Sequence, residues 1–301
     1  MTLQALPYIL LLGFLFGSTL IASRFSVGQY EPTTYIGLRL LLASFGHITV
    51  YLLSQQRRWP ADRNLWGKAA IFGVFGTALP MAGIVTSLLY LSSGVTAILL
   101  TTGPAMTVLL AHFFLPDETL TTRKSIGISL AMVGALILTV RGETGLVDVT
   151  RANPTGYVLV ISAVCISSIM TIYARKYLRS YDAFDVATIR MVTAASVLMP
   201  LSIMFVGFDL SQVTRQGYFA LIYAGLVGTF AGLFVSFYIN KNFGATAVSL
   251  TQYILPIVAT IGGVLILGET MTIGMVGGMG IIAFGLTFLN QRPHAPNPRN
   301  V

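Results

Sequence analysis

The feature that most constrains this chain is a series of ten apolar stretches, each about as long as a bilayer is thick. A transmembrane helix takes about 20 mostly apolar residues at ~1.5 Å rise each. Such stretches run at 5–26, 33–53, 67–90, 94–114, 123–140, 154–174, 185–206, 216–239, 245–267 and 273–290. The runs are continuous and about twice as long as a barrel strand, so they predict helices. Only 9% of the 301 residues are charged and mean hydropathy is +0.80. A soluble domain carries about 25% charged residues. A soluble enzyme of this make-up would lack the polar surface to stay in solution, and disorder requires low hydrophobicity. The expected fold class is therefore an all-α membrane protein with ten transmembrane helices. Ten spans leave short loops and a polar tail, 292–301, expected to be disordered on the cytoplasmic side. The N-terminal stretch lacks a basic segment before Pro7 and is long for a signal core, so it is expected to stay as the first span.

The distribution of Lys and Arg sets the expected orientation. With the N-terminus inside, twelve basic residues face the cytoplasm: Arg57, Arg58, Arg63, Lys68, Arg123, Lys124, Arg175, Lys176, Arg179, Lys241, Arg292 and Arg299. The outer segments hold Arg24, Arg141, Arg151 and Arg215. That imbalance predicts both termini in the cytoplasm. It also accounts for the net charge of +8 without nucleic acid, since no single patch collects it. Trp59 and Trp66 flank the second loop, where interfacial anchors belong.

Sliding the sequence on itself by 151 residues aligns Arg24 with Arg175, Arg39 with Arg190, and Leu99 with Leu250. Glu118-Thr119-Leu120-Thr121 falls on Glu269-Thr270-Met271-Thr272, Gly127 on Gly278, and Gly134 on Gly285. In a chain this poor in charge, two Arg–Arg coincidences and one Glu–Glu coincidence mark a duplication. Residues 1–150 form a first five-helix repeat and 151–291 a second. Five is odd, so the second repeat must enter the membrane from the opposite side. Inverted repeats are the architecture of many secondary transporters, with substrate held near the midplane between the halves.

Ten helices in two halves, each with an acidic-Thr turn and glycines at helical spacing, resemble the drug/metabolite transporter superfamily. The turns are Asp117-Glu118-Thr119-Leu120-Thr121 with Gly127 and Gly134, and Gly268-Glu269-Thr270-Met271-Thr272 with Gly278 and Gly285. The resemblance covers the whole chain and is nearest to the EamA-type branch. Within it, the sequence looks most like bacterial inner-membrane exporters of aromatic and other neutral amino acids. It implies alternating access in the inner membrane with a small molecule as substrate and the bilayer as surroundings. Other substrates of the superfamily stay open: nucleosides, nucleotide sugars, phosphorylated sugars or drugs.

Catalytic chemistry has little to work with. HExxH, P-loop and GxSxG motifs are absent, as is a carboxylate pair inside a span. The single cysteine, Cys165, excludes a disulfide framework or multi-cysteine metal site. No metal and no cofactor is expected. Asp182 and Asp185 could suggest a metal-diphosphate site of a membrane enzyme, the distant alternative; a helix cap is the simpler account. Arg39 and Arg190 lie two turns into spans two and seven, where snorkelling or loop carbonyls can satisfy them, and are read as anchors. Glu118 and Glu269 are expected to help cap the following helices through their Thr neighbours. His47 and His112 are expected to be hydrogen-bonded packing residues. With no central Asp or Glu, a proton- or sodium-driven relay lacks its usual group, so transport is expected to be facilitative or weakly coupled.

Helix breakers mark the expected gates: Gly17, Pro80, Gly83, Gly103, Pro104, Gly232 and Pro256. A backbone freed by proline is tolerated only against protein or a water-filled cavity. Substrate is expected against the polar and aromatic groups beside them: Phe14, Ser18, Thr77, Met81, Thr101, Thr102, Ser168, Phe230, Thr251, Gln252 and Tyr253. A ten-helix unit with its own internal axis can work as a monomer.

Overall fold

The computed structural model describes residues 3–115, 120–147, 149 and 153–290. The turn at Asp117, Glu118 and Thr119, the 292–301 tail and His294 lie outside the described residues. Thirteen α-helical pieces build the spans. They are α1 (Leu6–Ser26), α2 (Pro32–Leu53), α3 (Arg63–Gly73), α4 (Leu79–Ser87), α5 (Ser93–Leu100) and α6 (Gly103–Phe114). The rest are α7 (Thr122–Arg141), α8 (Pro154–Tyr177), α9 (Ala183–Phe205), α10 (Arg215–Ile222), α11 (Gly232–Phe243), α12 (Ala245–Leu267) and α13 (Ile273–Asn290). Joined where they are continuous, they give nine apolar segments long enough to span a membrane among the described residues. The tenth, Ile273–Leu289, is apolar but shorter.

Local chemistry starts these helices where the sequence changes from polar to apolar. Side chains of Asp62, Ser92, Thr121, Asn153, Asp182 and Thr214 each accept a hydrogen bond from a backbone N–H in the first turn that follows. Those N–H groups have no partner within the helix, so the caps remove a desolvation cost at the membrane boundary. Pro7, Pro32 and Pro154 occupy first-turn positions, where a missing N–H costs nothing.

Two spans depart from α geometry at repeat-related places. Between α3 and α4, Val74–Ala78 form a π-helical turn; between α10 and α11, Tyr223–Ala231 do the same. The 151-residue offset carries the first segment inside the second. Pro80 follows the first π turn, but the matching residue in the second repeat is Ala231, so proline alone does not produce the distortion. In the fourth span, α5 and α6 are separated by Thr101-Thr102, whose hydroxyls turn back onto the Ile98 and Leu99 carbonyls (2.5 and 2.7 Å). Pro104 offers no N–H to the Leu100 carbonyl four residues back, which fixes the break there. Pro256 was expected to act in the same way, yet α12 runs uninterrupted through it. Pro200 is likewise carried inside α9.

The halves pack with two-fold exchange symmetry. Helix α2 lies on α9 and α7 on α13, while α1 against α12 is matched by α8 against α6. Individual contacts repeat the pattern. A Cβ on Gly127 would meet the Gly285 carbonyl, and one on Gly134 would meet the Gly278 carbonyl. Exchanging each glycine for its partner 151 residues away turns one contact into the other. Small residues at such crossings let backbones approach closely, which is how helices associate without a hydrophobic driving force.

Candidate functional site

Two ends of the bundle can be told apart by their polar side chains. At one end α1 finishes and α5 begins; we call it the Arg24 end. There, Arg24 Nη1 donates to the Leu88 carbonyl at 2.8 Å, and Arg24 Nε lies 3.7 Å from Glu269 Oε1. The buried Glu269 carboxylate also accepts from the Ser93 backbone N–H (2.8 Å) and hydroxyl (2.7 Å) at the start of α5. The loop after α12 is further tied by the Thr270 N–H to the Gly145 carbonyl, 2.9 Å. The Glu269 carboxylate itself therefore holds the N-terminus of α5, where the helix dipole favours an anion, and leaves the expected cap of the following helix to its Thr neighbour. Its neighbour Thr272 caps α13 through the Met275 N–H.

At the opposite, Arg57 end, Asp182 caps α9 by accepting from Phe184 and Asp185 N–H groups (3.0 and 3.1 Å). Arg57 Nη1 donates to the same carboxylate at 3.1 Å and stands 3.6 Å from Asp185. Burial pushes the Asp182 carboxyl up, but Arg57 and the two backbone N–H groups outweigh it and hold it below the usual carboxylate range. Asp185 takes the Tyr51 hydroxyl at 2.5 Å. Cap and ion pairs thus account for both carboxylates.

Among the described residues, a larger and a smaller cavity lie between the ends. The larger, about 520 Å³, sits toward the Arg57 end between α6, α8 and α12. Gly103 and Pro104, expected as gates, and Ser168 and Gln252, expected near substrate, line it together with Leu100, Thr107, Val164, Ser249 and Leu255. The smaller, about 150 Å³, lies toward the Arg24 end; Phe16, Thr19, Leu20, Arg39, Met81, Ile84 and Val85 line it. Leu100 and Leu255 border both, so the two meet at the broken span and at the middle of α12. A groove of about 320 Å³ gathers Thr101, Gln252, Tyr253 and Pro256 against α13.

Other expected residues are engaged elsewhere. Phe14 stands exposed on α1, and Ser18 is hydrogen-bonded to the Tyr223 hydroxyl at 2.7 Å. Phe230 packs edge-on against the His47 ring, whose Nδ1 is 3.3 Å from the Thr188 hydroxyl. Thr102 and Thr251 spend their hydroxyls on their own helices. Thr77 is buried. Gly17, Gly83 and Gly232 are close-packing points against Leu255, Leu159 and Phe16.

Leucines and valines carry no sequence signal that separates lining from packing, so Leu100, Leu255 and Val164 were not legible. Arg39, expected to be an anchor, also borders a cavity. It is buried, donates from Nε to the Thr229 hydroxyl (2.8 Å) and from Nη1 to the Ser23 hydroxyl (3.2 Å), and borders the smaller cavity. Thr229 in turn donates to the Ala224 carbonyl five residues back, at 2.8 Å, inside the π-helical segment. Its repeat-mate Arg190 lies over the Phe72 ring at 4.7 Å.

Among the described residues, nine membrane-length apolar segments and a shorter tenth surround a central pair of cavities, the architecture of a polytopic membrane protein. The EamA-like transporter family model matches the chain twice, over residues 3–140 and 154–291, and the chain belongs to that family. The double match falls on the two halves recognised by self-alignment. An uncharacterized transporter of Archaeoglobus fulgidus is 24% identical, covering 90% of this chain and 92% of that protein. The uncharacterized transporter YoaV of Bacillus subtilis is 22% identical, with 92% of each chain covered. The uncharacterized inner membrane transporter YedA of Escherichia coli is 25% identical over 91% of this chain and 87% of its own. A crystal structure of a protein 18% identical superposes with a TM-score of 0.64, covering 93% of this chain and 94% of the other; it supports the fold.

Proposed function

We propose that this transporter exports amino acids, aromatic and other neutral ones, across the inner membrane by alternating access between its two inverted repeats. One observation carries the proposal: a cavity of about 520 Å³ on one side of the middle, with the opposite end tied shut by Arg24, Glu269 and Ser93. With the Arg57 end in the cytoplasm, as the basic residues predict, this is the state that loads from inside. The lining combines Ser168, Thr107 and Gln252 with aliphatic side chains, which suits a small solute having one polar and one apolar face. Exchange symmetry supports a second state of similar energy in which the other end closes.

Among the described residues, every Asp and Glu falls in a loop or at a helix end, and this supports a facilitative mechanism. The test is uptake of labelled Phe, Trp, Thr and Met into proteoliposomes under imposed and collapsed pH and sodium gradients. Accumulation to equilibrium without a gradient is the expected result. Strict dependence on either gradient sinks the facilitative mechanism, and movement of nucleosides or phosphorylated sugars alone sinks the amino-acid assignment.

A further inference from the structure

We propose that Arg39 is the carboxylate-recognising residue of the transport path, and that the smaller cavity it borders is an acid subsite. The inference rests on the amino-acid reading above and makes it specific to one group of the substrate. A buried cation in a membrane protein is costly unless paired, and one that faces a cavity marks a functional position. Arg39 is buried and makes no ion pair among the described residues. Its hydrogen bonds go to two neutral hydroxyls, on Thr229 and Ser23. A guanidinium has five N–H donors in a planar fork, so these two bonds leave terminal donors for a bidentate acceptor. The remaining walls, Phe16, Leu20, Met81 and Ile84 among them, are apolar and strengthen any charge pairing by excluding water.

Access comes through Leu100 and Leu255, the residues shared with the larger cavity. The same junction supplies an acceptor for an ammonium group. Pro104 cannot donate to the Leu100 carbonyl, nor Pro256 to that of Gln252, so both backbone oxygens lack their ordinary helical partner. A zwitterion entering from the larger cavity can thus set its carboxylate on Arg39 and its ammonium at the broken helix. Symmetry alone does not dictate this, because Arg190 is stacked on Phe72 instead.

The test compares L-phenylalanine with L-phenylalaninamide, which lacks the carboxylate. Proteoliposomes carry wild type, Arg39→Gln, Arg39→Lys, or Met81→Trp, which fills the subsite without removing either Arg39 bond. Wild type should prefer the acid. Arg39→Gln should raise KM for the acid about tenfold or more, as expected for losing hydrogen bonds to a charged group. The amide should be almost unaffected, Arg39→Lys should fall between, and Met81→Trp should also lose the preference. Equal slowing of acid and amide by Arg39→Gln at unchanged KM would overturn the proposal and leave Arg39 as a packing group. Should wild type move neither compound, the amino-acid reading fails separately. The subsite is then tested by thermal stabilisation of the solubilised protein with lactate or inorganic phosphate. Arg39-dependent stabilisation by lactate upholds the carboxylate assignment, whereas stabilisation by phosphate alone, or by neither, overturns it.

Discussion

Arg24 Nε stands 3.7 Å from Glu269 Oε1, joining the end of the first span of one repeat to the turn that closes the last hairpin of the other. Residues 245 positions apart in sequence therefore close one end of the bundle. The Glu269 carboxylate makes two further bonds to Ser93, so the contact is a three-residue knot in a water-poor site.

Removing that knot should favour the opposite state. Glu269→Ala leaves the Ser93 N–H without an acceptor and Arg24, still bonded to the Leu88 carbonyl, without its ion pair, a cost of about 1–3 kcal/mol borne by this conformation alone. In a background with Cys165 replaced, Thr19→Cys should then react several-fold faster with a membrane-impermeant maleimide applied from the Arg24 side. An unchanged rate would mean that the knot does not gate.

Thr229 links Arg39 to the π-helical segment. Thr229→Val keeps the shape but deprives Arg39 Nε of its acceptor and the Ala224 carbonyl of its donor. A loss of about 1–3 kcal/mol in stability is expected, read as a lowered Tm of the solubilised protein. Thr193→Val, whose hydroxyl bonds only within its own helix, is the control and should shift Tm far less.

The α7–α13 crossing should be the most sensitive to volume. Gly127→Val forces a branched side chain onto the Gly285 carbonyl and the Leu289 and Phe288 side chains. Overpacking of this kind costs about 1–3 kcal/mol. Gly280→Val on the same α13, with nothing within 4 Å of an added Cβ, should be tolerated in a parallel thermal-unfolding series.

Asp182 offers a pH test outside the membrane. Its carboxyl is held below its ordinary value, so its stabilising effect is complete above the unfolded pKa of about 3.9. The effect is lost as pH falls through the lower, folded value. Loss of the cap in Asp182→Ala should cost about 1 kcal/mol. The Tm gap to wild type should stay level from pH 7.5 to pH 5 and shrink only below about pH 4.

Much of this architecture is legible in the sequence. Span boundaries at 245–267 and 273–290 coincide with α12 and α13, because an apolar run and its polar flanks leave one stable arrangement in a bilayer. Gly127 with Gly278, and Gly134 with Gly285, were found by self-alignment and prove to be the crossing itself. The site was less legible. Gly103, Pro104, Ser168 and Gln252 stand out because breakers and polar groups are rare inside spans, but Ser18 and Thr77 share that character and are not among the residues lining the larger cavity.

The sequence by itself determined the number of helices, their duplication and the residues that cap them, since each depends on local hydropathy, backbone chemistry or spacing along one chain. Tertiary structure decided which face of each helix looks inward, that Glu269 serves α5 rather than the helix after it, and that Leu100 and Leu255 separate two cavities. Those outcomes depend on how a helix is rotated against partners more than a hundred residues away. Hydropathy that is nearly uniform around a membrane helix carries no record of that rotation.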